Sequence, residues 1–233
     1  VLDRNLEPTT WYRNYVQNYV ERDLRQIAQI GDLRLFTIFL RMCASRSGSL
    51  LNLSALASDC GIAVNTAKNW ISILEASFIL FLLQPHHSNF GKRLIKTPKL
   101  YFYDPGLVSY LLSIDGEGAL GIHSMRGQMF ESFVVSEVKK LIAHTGRIDR
   151  SYFWRDRAGH EIDIALETAG GLSAVECKSG KTFSADWLGP LMQWRDIAKD
   201  TARRLSLIYG GDDVFTRQGV NIFTWRDVTS VVD

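Results

Sequence analysis

A glycine pair between two strand-like runs constrains this chain more than any other feature. Glu161–Glu167 alternates, with Ile162, Ile164 and Leu166 to one side and Glu161, Asp163 and Ala165 to the other. Gly170-Gly171 reverses the chain, and Leu172–Lys178 follows as a second strand. Strand side chains repeat every two residues, so Glu176 and Lys178 share a face and Cys177 takes the opposite one. Upstream, Tyr152–Asp156 reads as a further strand that Ala158-Gly159 turns into this pair. Antiparallel pairing across Gly170-Gly171 brings Asp163 and Glu176 together, with Lys178 beside them.

Two carboxylates and an ammonium at strand ends suit a hard divalent cation, Mg²⁺ or Mn²⁺, bound by Asp163 and Glu176 through oxygen with the Cys177 carbonyl as a further ligand. Such an ion polarises a scissile phosphate and lowers the pKa of a bound water, while Lys178 orients that water or steadies the growing charge. A third acid comes from the helix expected over Ser124–Ile142, whose inward residues are Phe130, Phe133, Val134, Val138, Leu141 and Ile142. Glu131 flanks that buried face, where a carboxylate costs desolvation unless it is paired or metal-bound. Glu137 projects away and needs only solvent. Each acid also has an ordinary reading: Asp163 and Glu167 as the wet face of a half-exposed strand, Glu176 and Lys178 as a surface ion pair. Ser179-Gly180-Lys181-Thr182 imitates the end of a phosphate-binding loop, but the position of its first glycine holds Val175, so no ATPase activity is expected from this segment.

The first half reads as helices. Tyr12–Ile30 carries apolar points at Tyr15, Tyr19, Leu24 and Ile27, and Leu33–Cys43 is a second amphipathic stretch. Ser54 is placed to cap a short helix holding Leu56, Ala57 and Cys60; Gly61 turns the chain; Asn65 is placed to cap a helix with Ala67, Trp70, Ile71 and Leu74 as its buried stripe. A strand at Phe78–Leu83, a loop at Pro85–Arg93 and a strand at Leu94–Tyr103 follow, and Asp104-Pro105 opens another helix. Two helices and then a hairpin is the order of a winged helix-turn-helix. Asn65, Thr66, Lys68 and Asn69 on the second helix, with Lys92, Arg93 and Lys96 on the wing, are the candidate nucleic-acid contacts, and Lys99 extends that basic run. The alternative is a protein-packing domain with a solvated basic loop. The glycine-rich stretch 113–121 marks the division, giving a helical and winged-helix domain over 1–115 and a second domain over 116–233.

With 46% apolar and 22% charged residues among 233, the chain has globular composition, and a net charge of +2 leaves any nucleic-acid footprint to a local patch. The longest apolar run, Phe78–Leu83, is far below the roughly 20 residues of a membrane span, so no membrane association is expected. No secretory signal opens the chain, and a start at Val1 suggests a cut from a longer protein. Cys43, Cys60 and Cys177 are scattered with no Cys-x-x-Cys, so neither a disulfide framework nor a cysteine zinc site is indicated, and a reducing cytoplasm fits best. His86 and His87 read as an exposed loop pair.

The second domain resembles the restriction-endonuclease-like PD-(D/E)XK phosphodiesterases, with Glu131 as helix acid, Asp163 as metal aspartate and Glu176-Cys177-Lys178 as the E-x-K step. Ile162 stands where that motif has its leading proline. The whole chain is similar to the C-terminal domain of unknown function that follows the ATPase core in a family of prokaryotic AAA-type ATPases. YVERDL (19–24), LEASFIL (74–80), KRLIKTPKLYFYDPGL (92–107), GQMFESFV (127–134), GHEIDIAL and VECKSGK carry the resemblance. It implies an α/β chain (α+β overall) in which a winged helix precedes a nuclease-like domain with a central mixed sheet flanked by helices. It also implies tethering to an upstream ATPase domain. The expected function is a Mg²⁺-dependent deoxyribonuclease acting on DNA. The alternative is a catalytically inactive DNA- or protein-interaction module regulating the ATPase. Oligomeric state stays open.

Overall fold

Asn52 and Asp32 show how this sequence starts its helices: each side chain accepts an amide of the first turn, Ala55 N–H at 3.0 Å and Leu35 N–H at 2.9 Å, satisfying a donor the helix itself leaves open. The computed structural model describes residues 7–23, 30–86 and 95–232. The chain forms two compact units, Val1–Leu82 with Leu100–Arg126, and Leu83–Lys99 with Gly127–Asp233. This division lies later in the chain than 115/116, and it assigns the segment after the first hairpin strand to the second unit. The glycine-rich stretch expected to part the domains is partly helical, Gly116–Ile122.

In the first unit, α1 (Pro8–Tyr15) continues as a π-helical stretch (Val16–Asp23), so Tyr12–Ile30 is not one regular α-helix; Leu24 and Ile27 lie outside the described residues. Then follow α2 (Leu33–Ala44), β1 (Ser49–Leu50), α3 (Leu53–Cys60), α4 (Val64–Ala76), β2 (Leu80–Leu83), β3 (Lys99–Phe102), α5 (Pro105–Leu111) and α6 (Gly116–Ile122). The three strands form one sheet in the order β1-β3-β2. Ala57, Ala67, Trp70, Ile71 and Leu74 are buried as expected, and Trp70 meets Phe36 and Phe39 edge-on at 5.2 and 5.3 Å. Gly61 ends α3 at φ 65°, a left-handed position that costs other residues. The caps differ from expectation. Asn52 caps α3 in place of Ser54, and Asn65 lies inside α4, which starts after Ala63 without a side-chain cap. Asp104 caps α5 and also takes the Tyr12 hydroxyl at 3.0 Å on each oxygen. A Cβ at Gly106 would run into that hydroxyl, so the glycine lets α1 close on α5.

The second unit is a mixed α/β layer. α7 (Arg126–His144) leads into β4 (Ser151–Arg155), β5 (Glu161–Thr168) and β6 (Gly171–Lys178), an antiparallel meander. α8 (Gly189–Ala198) then crosses over, β7 (Ala202–Tyr209) pairs parallel with β6, and β9 (Val220–Thr224) pairs parallel with β7 and antiparallel with β8 (Phe215–Arg217). The sheet order is β4-β5-β6-β7-β9-β8. On one face Trp154, Ile162, Leu191, Trp194 and Leu207 form the core, with the two tryptophan rings edge-to-face at 5.0 Å. Residues 162–166 are all buried, so β5 is an inner strand covered on both faces, not a half-exposed one.

The expected wing departs from its reading. His86 is buried, donates its backbone N–H to the Phe153 carbonyl at 2.7 Å and meets Tyr152 edge-on, while Ile95 N–H bonds the Arg155 carbonyl at 3.0 Å. Both ends of the loop therefore run alongside β4, because Phe153 and Arg155 offer backbone groups at the sheet edge. Lys96 is exposed; His87, Lys92 and Arg93 lie outside the described residues. Among the described residues no helix is long and apolar enough to cross a membrane, and Cys43, Cys60 and Cys177 are buried free thiols.

Candidate acidic site in the second unit

The β5–β6 ladder runs from Thr168–Gly171 to Ile164–Val175. Continuing its register would set Asp163 opposite Glu176. There the pairing ends, because the Asp163 carboxylate takes the place of a strand carbonyl: Asp163 Oδ2 accepts the Cys177 N–H at 2.8 Å. The side chains are buried, Asp163 9% exposed and Glu176 5%. Glu176 Oε1 accepts from Lys178 Nζ at 2.6 Å, but its Oε2 is buried with no hydrogen-bond partner among the described residues. A buried carboxylate oxygen left in that state is costly.

The helix acid arrives from α7, whose buried residues are Met129, Ser132, Val134, Val135, Ser136, Val138 and Ile142; of the residues expected to face inward, Val134, Val138 and Ile142 are buried and Phe130, Phe133 and Leu141 half-buried. Glu131 sits on that margin as expected. Its partner is one the sequence does not announce: Lys99, 3% exposed, donates to Glu131 Oε1 at 2.9 Å and forms an ion pair with Glu161. Lys99 Nζ also lies 5.6 Å from the Phe153 ring centroid. Glu161 is shared with Arg155 at 3.0 Å. The run free of acids between Gln84 and Tyr103 makes Lys99 look like a solvated wing residue; Leu100, Tyr101 and Phe102, all buried, are the sequence signal for an inner strand. Glu137 pairs with Lys140 on the half-exposed side, in keeping with a solvated role.

Electrostatics tie these groups into one site. Burial pushes the Asp163 carboxyl well above the ordinary aspartate range, the charges of Glu176 and Glu131 push it further, and Lys99 and the Cys177 amide oppose them. Glu176 is raised by burial and by Glu131 and Glu161, against Lys178. Burial alone would lower the Lys99 and Lys178 ammoniums; their carboxylate partners reverse it, and both are raised. Burial, and then the neighbouring carboxylates, push the Cys177 thiol well above the ordinary thiol range.

The structure thus gathers Glu131, Asp163, Glu176 and Lys178, and adds Lys99, Glu161 and Arg155. Among the described residues, no three His, Cys, Asp or Glu side chains are arranged to hold a metal ion together. The carboxylate oxygens of Asp163 and Glu176 are of the chemical type a hard cation takes, and Glu176 Oε2 keeps its lone pairs unused among the described residues. In the first unit, Asn65, Lys68 and Asn69 are exposed along α4 and Thr66 is half-buried.

The hairpin beside the site is closed by Asp156, which accepts the His160 N–H at 3.0 Å and pairs with its Nδ1 at 2.7 Å. Burial alone would raise the Asp156 carboxyl, but these bonds outweigh it and hold it below the usual aspartate value. A depressed folded-state pKa gives stability that is present above the unfolded value near 3.8 and lost as pH falls through the folded one. Asp156→Ala is therefore expected to destabilise at neutral pH and to flatten the acid limb of the stability curve. Urea midpoints measured from about pH 3 to pH 7 check it; parallel curves for the two proteins would refute it.

Comparisons with known proteins place the chain. A model of the family Domain of unknown function (DUF4143) matches residues 126–228. The Uncharacterized protein Rv2008c of Mycobacterium tuberculosis and the Uncharacterized protein Mb2031c of Mycobacterium bovis are each 30% identical over 216 residues, 91% of this chain and 46% of theirs. The chain therefore spans about half the length of the curated relatives it matches. The crystal structure of protein VC1899 from Vibrio cholerae aligns with 97% of this chain and 52% of that one at 14% identity and a TM-score of 0.35, too distant to bear on the fold. The model of the family Domain of unknown function (DUF8612) matches residues 1–118, just over half of the sequence, and the chain belongs to that family.

Proposed function

We propose that the second unit is a PD-(D/E)XK-type phosphodiesterase domain acting on DNA with a divalent cation, and that the first is a winged helix that contacts DNA. The carrying observation is the buried, unpartnered Glu176 Oε2 beside Asp163. The order of a helix, an antiparallel meander, a helical crossover and a parallel strand supports the nuclease-like reading. The order α2-β1-α3-α4-β2-β3, with β3 central in its sheet, supports the winged helix.

Asp163 and Glu176 would hold Mg²⁺ or Mn²⁺, with the Cys177 carbonyl as a further donor. The ion supplies a Lewis acid for the scissile phosphate and a more acidic water. Lys178, fixed by Glu176 at 2.6 Å, keeps an ammonium at the site to orient the attacking water and balance the negative charge that grows on the phosphate. Glu131 holds the margin of the site through Lys99. In a longer protein, an upstream ATPase would couple its cycle to this region.

Nicking of supercoiled plasmid in Mg²⁺ or Mn²⁺ tests the reading. Lys178→Ala is expected to lower the rate by about 10²–10³, the scale of losing one charge-stabilising group. Equal nicking by wild type and variant, or none by either, would contradict it. In the first unit, Lys68→Ala is expected to weaken DNA binding and reduce its salt slope by about one, for the phosphate no longer neutralised. Unchanged binding would remove the winged helix from the DNA interface.

A second reading, a catalytically silent module that binds DNA or protein and regulates an ATPase, is favoured by one observation: Lys99 already supplies a cation inside the acid cluster.

A further inference from the structure

Lys99 is a deeply buried charged group that the proposed chemistry does not use. The residue is 3% exposed, and its ammonium is bonded to Glu131 at 2.9 Å, paired with Glu161 and packed near the face of Phe153. Among the described residues, four carboxyl groups, Glu131, Glu161, Asp163 and Glu176, share this site with three cations, Lys99, Arg155 and Lys178. Arg155 is engaged by Glu161 and Lys178 by Glu176. Lys99 acts on Glu131, Asp163 and Glu161, the first two being carboxyls that a divalent ion at this site would also attract.

We propose that Lys99 is an internal counter-cation that competes with the divalent ion for the acid cluster, so that the site has an ammonium-closed state and a metal-bound state. The proposal rests on reading Asp163 and Glu176 as cation donors. Its physical basis is that buried carboxylates of this density must be neutralised by something, and one ammonium and one divalent ion compete for the same negative charge. In the closed state Lys99 keeps Glu131 turned to itself, which accounts for a cluster rich in carboxylates in which no three of the described side chains are arranged around one metal position. In the metal-bound state Lys99 yields Glu131 and stays paired with Glu161.

Mn²⁺ binding by calorimetry and thermal unfolding in EDTA or Mn²⁺ test this on the full chain. Lys99→Met is expected to bind Mn²⁺ about tenfold tighter or more than wild type, because the carboxylates lose their internal cation. Its melting temperature should fall in EDTA and recover in Mn²⁺. Glu161→Gln removes the carboxylate that holds Lys99 in the metal-bound state and leaves the ammonium to Glu131 and Asp163, so it should weaken Mn²⁺ binding by about threefold, a readout that stands even if Lys99→Met fails to fold. Asp163→Asn in the Lys99→Met background should abolish the gain. Mn²⁺ binding equal to or weaker than wild type in Lys99→Met, or equal to or tighter than wild type in Glu161→Gln where Lys99→Met does not fold, overturns the proposal. The donor reading survives that result if wild-type binding is lost with Asp163→Asn. No binding by any variant overturns the donor reading, and the competition with it.

Discussion

Asp163→Asn should abolish metal-dependent cleavage of DNA, a fall of at least about 10³ in rate, while making the protein more stable. The two effects have one cause. Asp163 is buried beside Glu176 and Glu131 and accepts a single amide, that of Cys177, which an asparagine carbonyl accepts equally well. The substitution removes the carboxylate a divalent ion would bind and also a charge the fold holds at a cost. The folded carboxyl titrates well above its unfolded value, so the folded state binds more protons between the two and loses stability as pH rises through that window. The gain from Asn should therefore be largest near neutral pH, about 1–2 kcal/mol, and should shrink below about pH 4, where the carboxyl is protonated folded or unfolded. A plasmid nicking assay read beside urea unfolding at two pH values checks both effects. Loss of stability with activity intact would make Asp163 a structural residue.

Trp194→Ala is expected to cost about 3–5 kcal/mol, enough to unfold a marginal domain. Trp194 is 1% exposed, lies edge-to-face on Trp154 at 5.0 Å, and packs from α8 onto the β5, β6 and β7 side of the sheet. Trp154 is also the β4 residue that faces Ile162 in the ladder, next to Glu161 and Asp163. The cavity left by the indole would open beneath the acid-bearing strand. Thermal unfolding of the variant should begin well below that of wild type; a midpoint within a few degrees of wild type would mean that the tryptophan pair is not the core of this unit.

Much of the second unit is legible from local rules. Period-two alternation places β5 and β6, Gly170-Gly171 places their turn, and the Glu176–Lys178 step places an acid and an amine on one face. Leu191 and Trp194, three residues apart and buried on α8, follow the helical period instead. Lys99 is not, because its burial is decided by Glu131 and Glu161, far away in sequence, and a lone lysine in a basic run has no local mark of a buried ion pair. The misreading of His86 as exposed loop has a related origin: its amide is satisfied by Phe153, a partner that only the sheet edge provides. The cap of α3 moves by two residues because Asn52 competes with Ser54 for the same first-turn amides, and spacing alone does not rank them. That Asp163 ends the ladder by bonding the Cys177 amide is a contest between a side chain and a strand carbonyl that no pattern records.

Whether this acid cluster is a cation site is tested most directly by a crystal soaked in a high concentration of MnCl₂. The expected result is an anomalous peak between Asp163 and Glu176, with Lys99 withdrawn from Glu131. Absence of any peak there, with the Lys99 ammonium still bonded to both Glu131 and Glu161, would contradict it.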